Sequence, residues 1–400
     1  MPVSNNNRIF YACQAVAIEP LQQNSDGTLT PYGGTGATNN THVLHGVQSV
    51  GINTTFNLEQ VFELGQIHIY ENIEGVPDVE VTLEKVLDGY PLMYHVASTA
   101  VATETGSASA KAALVARSKQ RCNAYLGIFP DTVEHVGNTN DNAVEVQMSG
   151  MYISSIGFTM PVDGNCTESL TLVGNHKQWR TTPSKFNSTL ARTLGSGVAG
   201  SYFDEPKALQ AGSFYGGVQR RENFDVKNSI LPLSINGVVG TSAGNGYNNT
   251  TNTPRVHLQN CSISCDLNRE SIQELGRKSP YTRYANFPVE VTCEFEVIST
   301  SGDFIGALED GAYAIGTRDY GNNTAEERIL VKLHDGSVFD LGSKNRLSSI
   351  NYTGGDAGGG NATMTYSYST YNALSVYHPQ DPAAVVPEGD FAFVYNGIPT

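Results

Sequence analysis

The stretch VEVTCEFEV, residues 289–297, alternates apolar and polar side chains without a break. Successive side chains of an extended strand point to opposite faces, so the Val, Cys and Phe side chains share one face and the Glu and Thr side chains the other. Such alternation is typical of a strand with one face on a core and the other in water. Residues 289–297 therefore predict an antiparallel sheet with one acidic, hydrated face.

The same pattern occurs earlier in the chain, in the stretch VEVTLE at residues 79–84. The similarity extends to the preceding segment, because residues 47–65 align without a gap with residues 258–276 and both segments end in Glu-Leu-Gly. After a slip of one residue, Glu80-Val81-Thr82 aligns with Glu290-Val291-Thr292. Shared order over this length indicates an internal duplication.

A later match, between residues 153–159 and residues 347–353, shows that the two copies also end alike. We predict a mainly β protein with two duplicated antiparallel β-barrel or β-sandwich domains, short helices and extended arms. The Gly- and Asn-rich arms and connection are expected to join neighbouring subunits, because structureless segments of that length are unusual inside a compact domain. The predicted divisions are an N-terminal arm at 1–45, a first domain at 46–175, a connection at 176–256, a second domain at 257–372 and a C-terminal arm at 373–400.

Shorter elements follow from capping and turn residues. Residues 57–65 and 268–276 each begin with Asn and end with Gly, which predicts a short helical turn in both copies. Residues 107–117 predict a longer helix, and Asp335-Gly336 predicts a hairpin turn.

The six cysteines form no CxxC pair, so neither a zinc ribbon nor a thioredoxin-type site is indicated. Cys261, Cys265 and Cys293 fall on the apolar faces of predicted strands, where a thiol acts as a small hydrophobic group. We expect these three cysteines to form no disulfide.

Composition excludes several functional classes. Charged residues are only 16% of the chain, against about 25% in ordinary domains. The formal net charge of −15 argues against a protein that binds nucleic acid through its phosphates. No apolar stretch approaches the length that spans a bilayer. The first residues lack the pattern of a secretory signal, so we expect synthesis and assembly in the cytoplasm.

Motifs for catalysis or metal binding are also missing. The nine histidines are dispersed, and no HExxH motif occurs. We therefore expect no enzyme activity, no catalytic residue, no cofactor and no metal.

The strand-turn-strand units at residues 47–86 and 258–297, with the late strands at Ile153 and Leu347, resemble the tail tube (major tail) proteins of tailed bacteriophages. The resemblance covers rather more than half of the chain. It implies a β-barrel or sandwich that assembles into rings, and rings that stack into a tube whose inner strands line a channel for DNA. It also implies a location in the virion tail, with tape measure, tail terminator and baseplate proteins as partners and sheath proteins as a further candidate.

Within this interpretation, the polar side chains of the alternating strands face the lumen, where an acidic wall repels phosphates and lets DNA pass without specific binding. The predicted lumen-facing residues are Glu80, Thr82, Glu84, Glu290, Thr292, Glu294 and Glu296. The alternative is that these side chains simply face solvent.

The duplication bears on ring symmetry. The family's single-domain subunits usually close as six-membered rings, so three two-domain chains predict a trimeric ring with pseudo-sixfold symmetry. A hexamer is the alternative, with one domain lining the channel and the other decorating the outside. The second connection carries Arg277, Lys278 and Arg283, whereas the first carries Gln66, His68 and Glu71, and this difference predicts charge pairing between neighbours.

Two other functions remain open from the sequence. One is a different ring component of the virion, such as a neck or baseplate protein. The other is a surface-binding module built of two β-sandwiches, which the single Trp179 and the dispersed tyrosines make the weaker alternative.

Overall fold

Antiparallel strands dominate the computed structural model of the chain, and the helices are few and short. This confirms the mainly β fold class. The structure describes residues 9, 11–23, 29–31, 41–98, 108–129, 144–181, 217–225, 231–232, 235, 257–298, 305–308, 311–314, 326–355 and 360–379.

The helices and strands are numbered in chain order. The helices whose full lengths lie within the described residues are α1 (Met93–Ala97), α2 (Ala108–Ala112) and α3 (Leu114–Arg117), with 3-10 turns at Tyr11–Cys13 and Arg221–Asn223. The strands are β1 (Gln14–Gln23), β2 (Leu29–Pro31), β3 (His42–Val43), β4 (Val47–Thr55), β5 (Leu58–Phe62), β6 (Ile69–Glu74), β7 (Asp78–Val86), β8 (Arg121–Ile128), β9 (Val144–Pro161), β10 (Thr167–Gly174), β11 (Lys177–Arg180), β12 (Leu258–Asp266), β13 (Arg269–Ile272), β14 (Thr282–Ala285), β15 (Glu290–Ile298), β16 (Ile305–Leu308), β17 (Gly311–Ala314), β18 (Leu330–Lys332), β19 (Val338–Asp340), β20 (Arg346–Thr353), β21 (Thr363–Tyr371) and β22 (Ser375–Tyr377).

A continuous antiparallel sheet runs through the described part of the chain in the order β4-β7-β10-β9-β12-β15-β21-β20. Its first four strands come from the first predicted copy and its last four from the second. Each set has the same spatial order of strands, and the two sets meet where β9 pairs with β12. The eight strands therefore form one surface, here called the main sheet.

Irregularities in strand pairing occur at matching places in both sets. Gln48 bulges out of the pairing of β4 with β7, and Gln259 bulges out of the pairing of β12 with β15. Both glutamine amides donate to the carbonyl two residues earlier. Ser154 of β9 and Ser348 of β20 mark the second matching bulge. Since bulges are local features of a sequence, their coincidence supports the duplication.

Strand pairing also corrects the alignment made from sequence. Val50 lies opposite Leu83 in the first set, and the matching Cys261 lies opposite Phe295 in the second. Val81 therefore corresponds to Cys293, two residues beyond the position that the sequence alignment gave. The error arose because a period-two pattern is unchanged by a shift of two residues.

A second layer covers the apolar side of the main sheet. Strands β2, β1 and β8 pair in that order and join the first half of β9, while β3 pairs with β1 and β11 with β9. The 18-residue strand β9 thus belongs to both layers. One cluster of buried side chains fills the space between them and includes Ile18, Val81, Phe158 and Phe295.

The predicted helical turns at residues 57–65 and 268–276 are wrong. Both segments begin hairpins instead, in which β5 pairs with β6 and β13 with β14. Gly65 and Gly276, the predicted helix stops, lie in the hairpin loops with φ of +92° and +85°, where glycine has no steric cost. Both hairpins leave the main sheet at the same end, after β4 and after β12.

Other local predictions have mixed outcomes. The hairpin turn at Asp335-Gly336 is confirmed between β18 and β19. The helix expected over residues 107–117 is split into α2 and α3, because Ala113 adopts an extended conformation and bridges to Ser375.

The described parts of the predicted arms are packed into the fold. Strand β1, inside the predicted arm 1–45, is largely buried and pairs with β8 along its length. Strand β22, inside 373–400, pairs with β19. The domain boundaries remain predictions, and most of the connection 176–256 lies outside the described residues.

Candidate channel-lining face

The seven predicted lumen-facing side chains lie on one face of the main sheet. Strand β7 buries its Val and Leu side chains and exposes Glu80, Thr82 and Glu84. Strand β15 repeats the arrangement, with Glu290 and Glu294 exposed and the other two residues half-buried. The structure places these residues on a common surface, here called the polar face, and whether the polar face lines a channel remains a prediction.

The five glutamates among these residues form two separate rows. Strands β7 and β15 are four places apart in the main sheet, which corresponds to about 19 Å at the usual spacing of strands. Residues within one row are near neighbours, but Glu84 and Glu294 are not. The polar face therefore presents two acidic stripes rather than one cluster.

Small hydroxyl-bearing residues cover the strands beside each stripe. Ser367 of β21 donates a hydrogen bond to Glu294 at 3.1 Å, and Ser264 of β12 lies 2.6 Å from the hydroxyl of Thr292. Gly51 leaves room for Thr82, since a Cβ at Gly51 would come within 2.5 Å of the Thr82 hydroxyl. These contacts tie polar side chains of neighbouring strands to one another on the polar face.

The charge of the polar face is strongly negative. Among the described residues of the eight strands, Arg346 at the start of β20 is the one basic side chain at a position of this face. Lys85, the other basic residue of these strands, lies on the buried side. A surface with this balance repels polyanions and attracts counterions.

Sequence reasoning missed a buried polar cluster below the main sheet. Lys85 of β7 lies opposite Glu168 of β10, and both side chains are inaccessible to solvent. The Lys85 amine forms an ion pair with Asp88. Glu168 accepts the backbone N–H groups of Met93 and Tyr94, at 2.7 and 2.8 Å, where α1 begins. The cluster thus fastens α1 to the main sheet.

The signal for this cluster is present in the sequence. Lys85 and Glu168 both occupy positions where the alternation of their strands requires an apolar side chain. The corresponding positions in the second set are Val297 and Met364, which lie opposite each other and are buried. The first set therefore carries a charged pair where the second carries an apolar pair.

Two buried carboxyl groups, Glu168 of this cluster and Asp335 outside it, predict a pH-dependent stability. Burial raises the pKa of Glu168 to about 7 and that of Asp335, in the β18–β19 turn, to about 6. The unfolded chain releases these protons near pH 4, so the folded state loses stability as pH rises from about 4 to about 7. We expect a lower urea midpoint at pH 8 than at pH 5, and a smaller difference in Glu168→Gln. An identical pH dependence in the variant would contradict this assignment.

All six cysteines are buried as free thiols. Burial raises the pKa of Cys122, Cys166 and Cys265 to about 12, so these thiols are poor nucleophiles. Over the described ranges, no three or more His, Cys, Asp or Glu side chains stand close enough to hold a metal ion. In the same ranges, no helix is long and apolar enough to cross a membrane.

Comparison with known proteins gives partial similarities only. No protein-family model matches the chain, and no curated protein does. Similar solved structures include the tube-terminating cap of the anti-feeding prophage, with a TM-score of 0.27 and 11% identity over 46% of this chain and 97% of that chain. At TM-scores of this size, the function has to be argued from the chain's own geometry.

Two further structures give similar values. The sheath-tube complex of an extracellular contractile injection system in its extended state has a TM-score of 0.27 and 9% identity, over 44% of this chain and 93% of that chain. The baseplate of the anti-feeding prophage has a TM-score of 0.25 and 10% identity, over 44% of this chain and 97% of that chain.

Proposed function

We propose that the chain is a structural protein of a tail-like particle, which closes into rings that stack into a tube for DNA. The observation that carries the proposal is the main sheet itself, a continuous surface of two like sets of strands with an apolar side and an acidic, hydrated side. The partially similar structures are described as parts of a tube cap, a sheath-tube complex and a baseplate, and the proposal gives this chain the same kind of assembly.

The two edges of the main sheet support association between chains. Within the described residues, β4 pairs only with β7 and β20 only with β21. Soluble proteins usually protect such edges with charges or proline, but residues 49–55 and 349–353 contain neither. Edge-to-edge contact between different surfaces of identical chains generates a ring when the rotation closes.

Strand number favours a trimeric ring. Three chains with eight main-sheet strands each give a barrel of 24 strands. With about 4.8 Å between strands and a tilt of about 40°, this barrel is about 48 Å across its backbone, which leaves a wide bore after side chains are subtracted. The alternative hexamer, with one domain outside, would put the two sets at different radii, whereas here they share one sheet and one polar face.

The polar face suits a conduit. Its acidic stripes repel DNA phosphates, and its Ser and Thr hydroxyls hold water without offering a cationic binding site. In the assembled particle the expected partners are tape measure, tail terminator and baseplate proteins, with sheath proteins as a further candidate. DNA passes without specific binding.

Reversing the charge of the polar face should make DNA adhere. A variant with four of its glutamates changed to lysine should bind duplex DNA at least about tenfold more tightly at low salt, with the steep salt dependence of phosphate contacts. Fluorescence anisotropy of a labelled duplex on assembled particles measures the effect. The four residues are Glu80, Glu84, Glu290 and Glu294.

The matched control makes the same charge change on the first hairpin, which the proposal does not place against DNA. Equal binding by both variants would contradict a channel-lining role for the polar face. The control residues, all exposed, are Glu59, Glu63, Glu71 and Glu74.

Electron microscopy of the purified full chain tests the proposal directly. Long hollow filaments at high protein concentration are the expected result. Single rings that never stack would favour a neck or baseplate component, and dispersed monomers would favour a surface-binding module; either result would overturn the tube. Rotational averages of end views separate a trimer from a true hexamer.

A further inference from the structure

We infer that β20 of one chain pairs antiparallel with β4 of the next chain, in the register that β9 and β12 use within the chain. The inference rests on the proposed function and adds the identity and register of the contact. A second copy of the chain is the partner. The contact between chains is here called the seam, and the pairing of β9 with β12 the internal junction.

The internal junction supplies the template because its two strands have counterparts at the two edges of the main sheet. Gln48 and Gln259 mark the same bulge in β4 and β12, so β4 is the counterpart of β12. Ser154 and Ser348 mark the same bulge in β9 and β20, so β20 is the counterpart of β9. The pairing of β9 with β12 can therefore be transferred residue by residue to the two edges.

In the internal junction, Ile263 lies opposite Phe158 and Ser264 opposite Gly157. The transfer gives a seam in which Ile52 lies opposite Tyr352 and Asn53 opposite Asn351. In both new pairs, each side chain lies on the same face of the main sheet as its counterpart at the internal junction. Ile52 and Tyr352 stand in register with core residues of β7 and β21, and the two asparagines stand on the polar face. The polar face therefore continues across the seam without a break.

Residues at the two edges are more exposed than their counterparts at the internal junction, as expected where a neighbouring strand is missing. Phe158 and Ile263 are each 1% exposed at the internal junction. Their counterparts at the edges differ, since Tyr352 is 56% exposed and Ile52 is half-buried. An exposed tyrosine in the place of a buried phenylalanine is the difference expected at an edge that lacks its neighbouring strand.

The second hairpin, formed by β13 and β14, lies beside the internal junction and shows how the internal junction differs from the seam. Arg283 of the second hairpin forms a 2.5 Å ion pair with Asp78 of the first set, within one chain. The charge pairing expected between the connections of neighbouring chains stays a prediction. At the seam the counterparts of these residues are Asn72 and Glu290, which form no ion pair. The seam is therefore the less ionic of the two contacts.

At a neighbouring position, the seam would have two apolar side chains where the internal junction has Lys278 and Val76. Lys278 lines a groove of about 820 Å³ at the base of the first hairpin, together with Val76 and Pro77. In the transferred arrangement, Ile67 of the next chain takes the place of Lys278, and Phe287 takes the place of Val76. Ile67 is 96% exposed and Phe287 41% exposed. Docking of the next chain covers both side chains.

Cysteine cross-linking tests the register. In the full chain carrying Asn53→Cys and Asn351→Cys, mild oxidation of assembled particles should link neighbouring chains, because directly opposed strand residues meet the geometry of a disulfide. Non-reducing gels should show a covalent ring. The native thiols are buried, and both asparagines are exposed on the polar face, so the substitutions leave the core intact.

Two controls move one cysteine along β20, to Thr353 or to Ser349, while Asn53→Cys is kept. Their diagonal separation of about 7–8 Å is too long for a disulfide, so cross-linking should be at least about tenfold slower. Equal or faster linking by a control, or no linking by any pair in assembled particles, overturns the register. Failure of the unmodified chain to form rings overturns the proposed function instead, and microscopy of that chain tells the two failures apart.

Discussion

Replacement of Phe158 by alanine is expected to lower the free energy of unfolding by about 3–5 kcal/mol, the usual cost of removing a buried phenylalanine ring. Phe158 is 1% exposed, and its ring centroid lies 4.5 Å from that of Phe339 of β19 within one cluster of buried side chains. Little of this cavity can collapse, because strands on both sides of β9 hold its backbone in place.

Alanine at Tyr352, the counterpart of Phe158, should have little effect on stability and a large effect on assembly. Tyr352→Ala removes a ring that is 56% exposed at the edge of the main sheet, so the free energy of unfolding of the isolated chain should change by less than about 1 kcal/mol. Assembly of chains into rings and tubes should be lost, because the aromatic side chain of Tyr352 contributes to the seam only after chains associate.

Urea unfolding and light scattering together measure both effects. Phe158→Ala should move the unfolding midpoint, and Tyr352→Ala should move the concentration at which particles form. Assembly of Tyr352→Ala at the concentration of the unmodified chain would argue against β20 as the contact edge. A midpoint for Phe158→Ala within error of the unmodified chain would argue against its place in the core.

The second large effect is expected at the buried cluster. Lys85→Val removes the cation that neutralises Asp88 and Glu168, and leaving buried charges without their partner typically costs about 3–5 kcal/mol. The double variant Lys85→Val/Glu168→Met copies the Val297 and Met364 pair of the second set. It should recover part of the loss, with a coupling free energy of about 1–3 kcal/mol.

Recovery should be incomplete, because a methionine side chain cannot replace the Glu168 carboxylate as acceptor of the two backbone N–H groups at the start of α1. Urea unfolding at pH 8, with both single variants and the double variant, gives the coupling. Simple addition of the two single effects would show that Lys85 and Glu168 do not act as a unit.

The alternation of apolar and polar residues accounts for most of what could be predicted from the sequence. The faces of residues 79–84 and 289–297 followed from it, and so did the mainly β fold and the shared acidic surface. Alternation cannot fix an alignment, because a shift of two residues leaves every side chain on its face. The bulges at Gln48 and Gln259 fix it, and they are visible only when strands are paired.

Turn chemistry explains the predictions that were wrong. The Asn and Gly residues of the segment 268–276 suit a helix cap and a helix stop, but they suit a hairpin equally well, since Asn268 adopts φ of +43° and Gly276 φ of +85°. Pairing with β14 decides between the two. Alternation alone does not predict the buried cluster, because a single charge such as Lys85 interrupts the apolar face of β7 without naming its partner.

The internal junction has a consequence for synthesis on the ribosome. The pairing edge of β9 is complete at Pro161, but its partner β12 begins at Leu258, about 100 residues later. At about 5–20 residues per second, that edge stays uncovered for about 5–20 s on each nascent chain. Neighbouring ribosomes on one message present identical edges during this interval. Premature pairing between nascent chains is therefore the misfolding route to which this topology is most exposed.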